Sequence, residues 1–148
     1  MTDRIVSKSL AARHFANLLN TATVLEAAGV MTRGACSSVL IMDASGTMLG
    51  ILTERDLVTR VVAKALDPRT TLVTEVMTRN PHFVRSHDTV SQAVLIMIER
   101  GFRHLPVLGT DGSILGVFSA RDALPREIDA AMTMAQFHEQ INDGLGGG

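Results

Sequence analysis

The residues best equipped for chemistry fall in two short strings. Gly50-Ile51-Leu52-Thr53-Glu54-Arg55-Asp56 and Gly116-Val117-Phe118-Ser119-Ala120-Arg121-Asp122 each read glycine, two large apolar residues, a hydroxyl residue, any residue, arginine and aspartate. A hydroxyl residue followed three positions later by an acid is the pattern of a capping box, in which each side chain satisfies a backbone N–H of the other residue. The same residue types suit a nucleotide. A helix start presents free N–H groups and positive dipole character to a phosphate. A guanidinium takes phosphate oxygens, and a carboxylate accepts both hydroxyls of a ribose in charge-assisted hydrogen bonds. Capping and ligand binding are compatible, so the strings alone leave both open for Thr53, Arg55, Asp56, Ser119, Arg121 and Asp122.

Other candidates are weaker. Arg103 and His104 precede the second string and read either as a solvated strand end or as positive charge for a phosphate, with a pH-dependent grip expected if the His104 imidazole is unperturbed. His14, His82, His87 and His138 show no metal-ligand spacing with Cys36 or with carboxylates, and are expected on the surface or in packing. Cys36 has no histidine and acid arranged to activate it, so it reads as an inert thiol. With no nucleophile and base pair in view, no enzyme is expected.

The 148 residues are 46% hydrophobic and 20% charged, enough to build a core. Fourteen basic residues against fifteen acidic ones leave a formal charge of −1, with no basic run, which argues against a nucleic-acid or anionic-membrane binder acting by bulk charge. Without Trp or Tyr there is no stacking platform for single strands. A single cysteine suits a reducing cytoplasm. No apolar stretch reaches membrane-spanning length.

The strings sit inside a longer repeat. Sliding the sequence by 66 residues lays 21–58 over 87–124 without a gap. Identities at Thr23/Thr89, Ala27/Ala93, Met31/Met97, Gly46/Gly112, Gly50/Gly116 and Asp56/Asp122 mark a helix face, a turn and a corner in the same order twice. Ser7 to Asn20 lies over Val73 to Ser86 at the same offset, similar in character more than in identity. Val24, Ala27, Ala28 and Met31 recur at helical spacing behind a capping Thr23, which predicts a helix over 23–33. Residues 37–42 and 48–52 read as a hairpin turning at Gly46, followed by a helix over 54–66 that Asp67-Pro68 stops. The second copy predicts a helical turn over 74–78, a strand at 82–84 and a helix from Val90 to Gly101. It continues with strands over 103–108 and 114–118 and a helix over 120–124. Pro125 can open a fresh first turn, and 126–142 continues as an amphipathic helix.

The repeat resembles a tandem pair of CBS (cystathionine-β-synthase) domains, a Bateman module, over roughly residues 5–126. Val76 to Pro81, Gly101 to Val107 and Gly112 to Asp122 carry the likeness in the second copy, and Asp43 to Asp56 in the first. It implies an α/β (α+β) fold of two βαββα-type units packed sheet to sheet with pseudo-twofold symmetry. The expected bounds are 5–66 for the first unit, 67–72 for a linker, 73–126 for the second unit and 127–143 for a C-terminal helix. A disordered tail is expected over 144–148.

The resemblance also implies a regulatory, signal-transducing module that senses an adenosine-containing nucleotide (AMP, ADP, ATP or NAD) in clefts between the repeats. Asp56 and Asp122 would take the ribose, helped by Thr53 and Ser119. Adenine would sit near Pro81, His82 and Phe83, and near Pro106. The first copy has Ser38 and Leu40 where the second has His104 and Pro106, which makes the Asp122 site the fuller candidate. A cytoplasmic homodimer through the repeat helices is expected, with an effector protein reading it. The alternative is a ligand-free scaffold whose corners are helix caps only.

Overall fold

The computed structural model describes residues 3–10 and 15–146. His14 and the last two glycines of the expected tail lie outside them. In chain order the elements begin with α1 (Val6–Ser9), β1 (Asn17–Leu19), α2 (Val24–Gly34), β2 (Ser38–Met42) and β3 (Met48–Thr53). A short α3 (Glu54–Asp56) runs on into a π-helical stretch over Leu57–Val62. α4 (Val73–Val76), β4 (Thr78–Arg79), β5 (Val84–Arg85), α5 (Val90–Arg100), β6 (His104–Leu108) and β7 (Ile114–Ser119) follow. A single 3-10 turn over Ala120–Asp122 then leads to α6 (Pro125–Gly146).

The described residues form two units, one of residues 15–81 and one of residues 3–10 with 82–146. The first unit holds a four-stranded sheet in the order β1-β2-β3-β4, and the second a three-stranded sheet in the order β5-β6-β7. The plan repeats: β1 runs parallel to β2 and β5 to β6, while β2–β3 and β6–β7 are antiparallel hairpins. Gly46 and Gly112 turn these hairpins at φ of 86° and 84°, a conformation open to glycine without strain. At the hairpin tips, hydrogen bonds from the Ser45 hydroxyl to Asp43 and from the Ser113 hydroxyl to Asp111 hold both carboxyls below their ordinary pKa.

Each unit buries its own core. Val24, Ala27 and Met31 of α2 meet Val39, Ile41 and Leu52 of the first hairpin. Val90, Ala93 and Met97 of α5 meet Leu105, Val107 and Phe118 of the second. The helix stripes read from the sequence are the faces that pack, and Thr23 and Thr89 cap them by accepting from the N–H of Glu26 and Gln92, each at 3.2 Å.

Several boundaries differ from the sequence reading. The lead-in segments are exchanged between units. Val6 and Leu10 lie in the second core, whereas Val73, Val76 and Met77 lie in the first, although the expected bounds put 5–66 and 73–126 together. Thr78–Arg79 forms an unforeseen strand, pairing with Gly50 and Ile51. The strand expected at 82–84 is Val84–Arg85. The helix expected over 54–66 leaves regular α geometry after Asp56, and the one expected over 120–124 is one 3-10 turn. The C-terminal helix spans 125–146, so Gly144 to Gly146 belong to it and not to a disordered tail. The stretch expected as a linker, 67–72, is bonded to α2, with Pro68 and Thr71 carbonyls accepting from the N–H groups of Leu25 and Val24.

Candidate functional site

The two corners are built alike. Each closes the second strand of a hairpin and turns straight into a helical start. At the first, the Thr53 N–H donates to Asp56 Oδ2 at 2.9 Å and the Asp56 N–H donates to Thr53 Oγ1 at 3.2 Å. At the second, the Ser119 N–H donates to Asp122 Oδ2 at 2.9 Å, and the Ser119 hydroxyl reaches the same oxygen at 3.4 Å. Both aspartates are half-buried, while Arg55 and Arg121 are exposed beside them.

Strand register decides which further candidates join each corner. Ser38 pairs with Thr53, and His104 pairs with Ser119. The second corner therefore has a half-buried imidazole beside it where the first has a buried serine. β5 runs parallel to β6 with Val84 opposite Val107, which puts His82 and Phe83 at the same end of the sheet as His104. There, the rings of His82 and Phe102 lie 5.0 Å apart, and the Arg85 guanidinium lies 5.5 Å over exposed Phe83. Arg103 is exposed at that end, and Pro81 is the last residue of the other unit. Pro106 is completely buried in the middle of β6, so its ring presents no surface to solvent.

Three residues that matter here went unread in the sequence. Arg60 donates from Nη1 to the carbonyls of Val76 at 3.0 Å and Met77 at 3.1 Å, and its Nε lies 3.7 Å from Asp56 Oδ1. Arg4 donates from Nη2 to the backbone carbonyl of Asp122 at 2.8 Å and to Glu127 Oε1 at 2.9 Å, and from Nε to Glu127 Oε2 at 3.2 Å. Glu127 Oε1 also accepts from the Leu124 N–H at 2.7 Å, as an acid on the first turn of α6 can. Burial pushes the Glu127 carboxyl upward, but the hydrogen bonds from Arg4 and Leu124 outweigh it and hold the group below its ordinary value. Only Arg60 left a sequence signal, standing four residues after Asp56.

The corners differ in their helical start. After Asp56 the helix runs on to Val62, so its first turn carries dipole character. After Asp122 the chain leaves the helical path at Ala123, with ψ 147°. A phosphate near Asp122 would depend on Arg121, Arg103 and His104, not on a helix end. Among the described residues no group of three His, Cys, Asp or Glu side chains could hold a metal ion, and no helix is long and apolar enough to cross a membrane.

The model of the CBS domain family matches the chain twice, over residues 8–63 and 73–127. A CBS domain-containing protein of Arabidopsis thaliana is 38% identical over 118 residues, covering 80% of this chain and 21% of that protein. The chain thus spans about a fifth of the length of such plant relatives. The fold is similar to that of a CBS-domain containing protein from Agrobacterium tumefaciens, with TM-score 0.74 and 32% identity over 80% of this chain and 94% of that one. It is also similar to a CBS domain protein from Pyrobaculum aerophilum, solved in complex with AMP, with TM-score 0.77 and 26% identity over 88% of this chain and 99% of that one. Two family matches fall on two units that repeat one strand plan and one capped corner, and the chain belongs to the CBS domain family with two CBS domains in tandem.

Proposed function

We propose that the chain is a regulatory module that binds an adenosine-containing nucleotide at its two corners. The observation that carries this reading is the repeated capped aspartate. Asp56 and Asp122 each spend one carboxylate oxygen on the backbone N–H of the strand end. Each is held in place with an arginine immediately before it. A carboxylate so fixed suits the paired hydroxyls of a ribose. The AMP complex of the similar Pyrobaculum aerophilum protein supports the ligand class. AMP, ADP, ATP and NAD share the adenosine that these residues would grip.

Thr53 and Ser119 assist the ribose. Arg55 and Arg121 take phosphate oxygens, with Arg103 and His104 adding charge at the second corner. His82 and Phe83 offer flat surface for adenine there. Pro106 shapes that neighbourhood from within the sheet. The module acts in the cytoplasm as a homodimer through its helices, where exposed Val58 and Val62 supply apolar surface. An effector protein reads the bound state, which requires that the nucleotide favour one arrangement over another. Titration calorimetry with AMP, ATP and NAD tests the reading. Binding that weakens in Asp56→Ala and in Asp122→Ala supports it, and absence of binding to the unaltered chain overturns it.

A further inference from the structure

We propose that Arg4 is the positioning residue of the Asp122 corner and couples that corner, through Glu127, to the C-terminal helix α6. The inference rests on the nucleotide reading for its ligand but on separate geometry for its mechanism. The chain breaks out of helical geometry directly after Asp122, and Pro125 starts a new helix three residues on. Such a break frees a carbonyl to accept from elsewhere. The Asp122 carbonyl accepts from Arg4 Nη2 at 2.8 Å. The same guanidinium forks onto both oxygens of Glu127, whose side chain is only 4% exposed. Glu127 in turn fixes the first turn of α6 through the Leu124 N–H. Arg4 is itself anchored, because its carbonyl accepts from the Val90 N–H at the start of α5, at 2.8 Å, beside the Ile5–Thr89 bridge. One residue therefore joins three elements, its side chain linking the ribose-gripping corner to the α6 start and its backbone carbonyl holding the α5 start.

The first unit does not repeat the Arg4–Glu127 fork. At the 66-residue offset, Glu127 corresponds to Val61, which is buried and apolar, and Arg4 corresponds to Thr70. A buried ion pair contributes no more stability than a well-packed apolar pair in the same place. What it adds is direction: a planar guanidinium fixes a carbonyl and a carboxylate at set angles. In the second unit that guanidinium spans the Asp122 carbonyl and the first turn of α6, so a shift of the Asp122 backbone on ligand binding passes to α6. At Asp56 the guanidinium contact, Arg60, leads to the carbonyls of Val76 and Met77 and not to a C-terminal helix.

The test uses the full chain and AMP. Asp56→Ala isolates the second corner and Asp122→Ala the first. Arg4→Lys and Glu127→Gln are added separately to each, because either is milder than truncation. Affinity at the second corner falls about tenfold or more, the usual range for residues that hold a ligand-binding group in place, and changes less than about twofold at the first. Equal loss at both corners, or none at the second, overturns the proposal. Amide exchange gives an independent readout. Without nucleotide, both substitutions speed exchange over 123–128. AMP slows exchange in the first turn of α6 in the unaltered chain and leaves it unchanged in Arg4→Lys. If neither parent binds AMP, the nucleotide reading fails by itself. Exchange over 123–128 then decides the brace alone, and unchanged rates in both substituted chains overturn it.

Discussion

A methyl group on Gly50 would lie 2.6 Å from the carbonyl oxygen of Thr78 and equally close to the sulfur of Met77. The carbonyl belongs to β4, which is hydrogen-bonded to β3 at this point, so the backbone cannot yield without losing the strand pair. The equivalent Gly116 faces a different neighbour. Its added carbon would meet Leu10 Cδ1 at 3.1 Å, the far end of a flexible side chain. Gly50→Ala should cost about 2–3 kcal/mol, as overpacking against a fixed partner does, and Gly116→Ala less than about 1 kcal/mol. Urea unfolding of the two variants checks the difference. Equal costs would mean that β4 is not held against Gly50.

Capping and ribose binding make different demands on Asp56 and Asp122, and asparagine separates them. An amide oxygen can still accept from the N–H of Thr53 or Ser119, but it carries no charge for paired hydroxyls. Asp56→Asn and Asp122→Asn should each cost less than about 1 kcal/mol of stability, since the third position of a capping box is filled by an acid or an amide. Adenosine-nucleotide affinity at the altered corner should fall about tenfold or more, because hydrogen bonds to a charged group contribute about 1.5–3 kcal/mol against about 0.5–1.5 for neutral ones. Calorimetry beside thermal unfolding reads both quantities. A large loss of stability with intact binding would favour a purely structural corner.

Arg60 joins the first corner to its lead-in segment. Its donors hold the carbonyls of Val76 and Met77, just where the chain passes from α4 to β4. Arg60→Ala should leave the π-helical stretch formed and loosen residues 76–80, with a loss of about 1 kcal/mol for the two hydrogen bonds at a half-exposed side chain. Faster amide exchange over 76–80 and little change over 38–42 would report it. Uniform change across the unit would instead indicate general destabilisation.

Much of this layout is legible in the sequence, for identifiable reasons. The α2 and α5 stripes announce themselves because Val24/Val90, Ala27/Ala93 and Met31/Met97 recur at helical spacing behind a capping threonine. Both hairpins follow from a β-rich run, a turn glycine and a second run. The capping boxes are local patterns, visible at three-residue spacing. Exchange of the lead-in segments is not visible, since nothing local tells Val6 and Leu10 which sheet to join. The Arg4–Glu127 pair spans 123 positions and breaks the repeat, so matching the copies hides it. The short turn after Asp122 was partly foreseeable. Pro125 forbids a continuous helix there, yet only the backbone shows that the break falls directly after the aspartate.

Glu127 supplies a pH test of the second unit. Its carboxyl is held below the ordinary value of 4.5, with the hydrogen bonds from Arg4 and Leu124 outweighing burial. A depressed folded-state pKa means the unfolded chain takes up the proton first as pH falls. The stabilisation is complete above about 4.5 and is lost progressively as pH drops through the folded-state value. Acid unfolding should therefore be steeper in the unaltered chain than in Glu127→Gln, whose side chain does not titrate. At pH 7 the unaltered chain keeps the full advantage of the charged carboxyl. Glu127→Gln should be less stable by about 1–3 kcal/mol, because it weakens a largely buried, charge-assisted contact to Arg4. The difference between the two chains should shrink toward zero as the pH falls below that of the folded carboxyl. Measuring unfolding free energy from pH 7 to pH 3 checks it. A gap between the two chains that stays constant across this range would mean that Glu127 binds protons alike in the folded and unfolded chains, and that the Arg4 pairing does not depress its carboxyl.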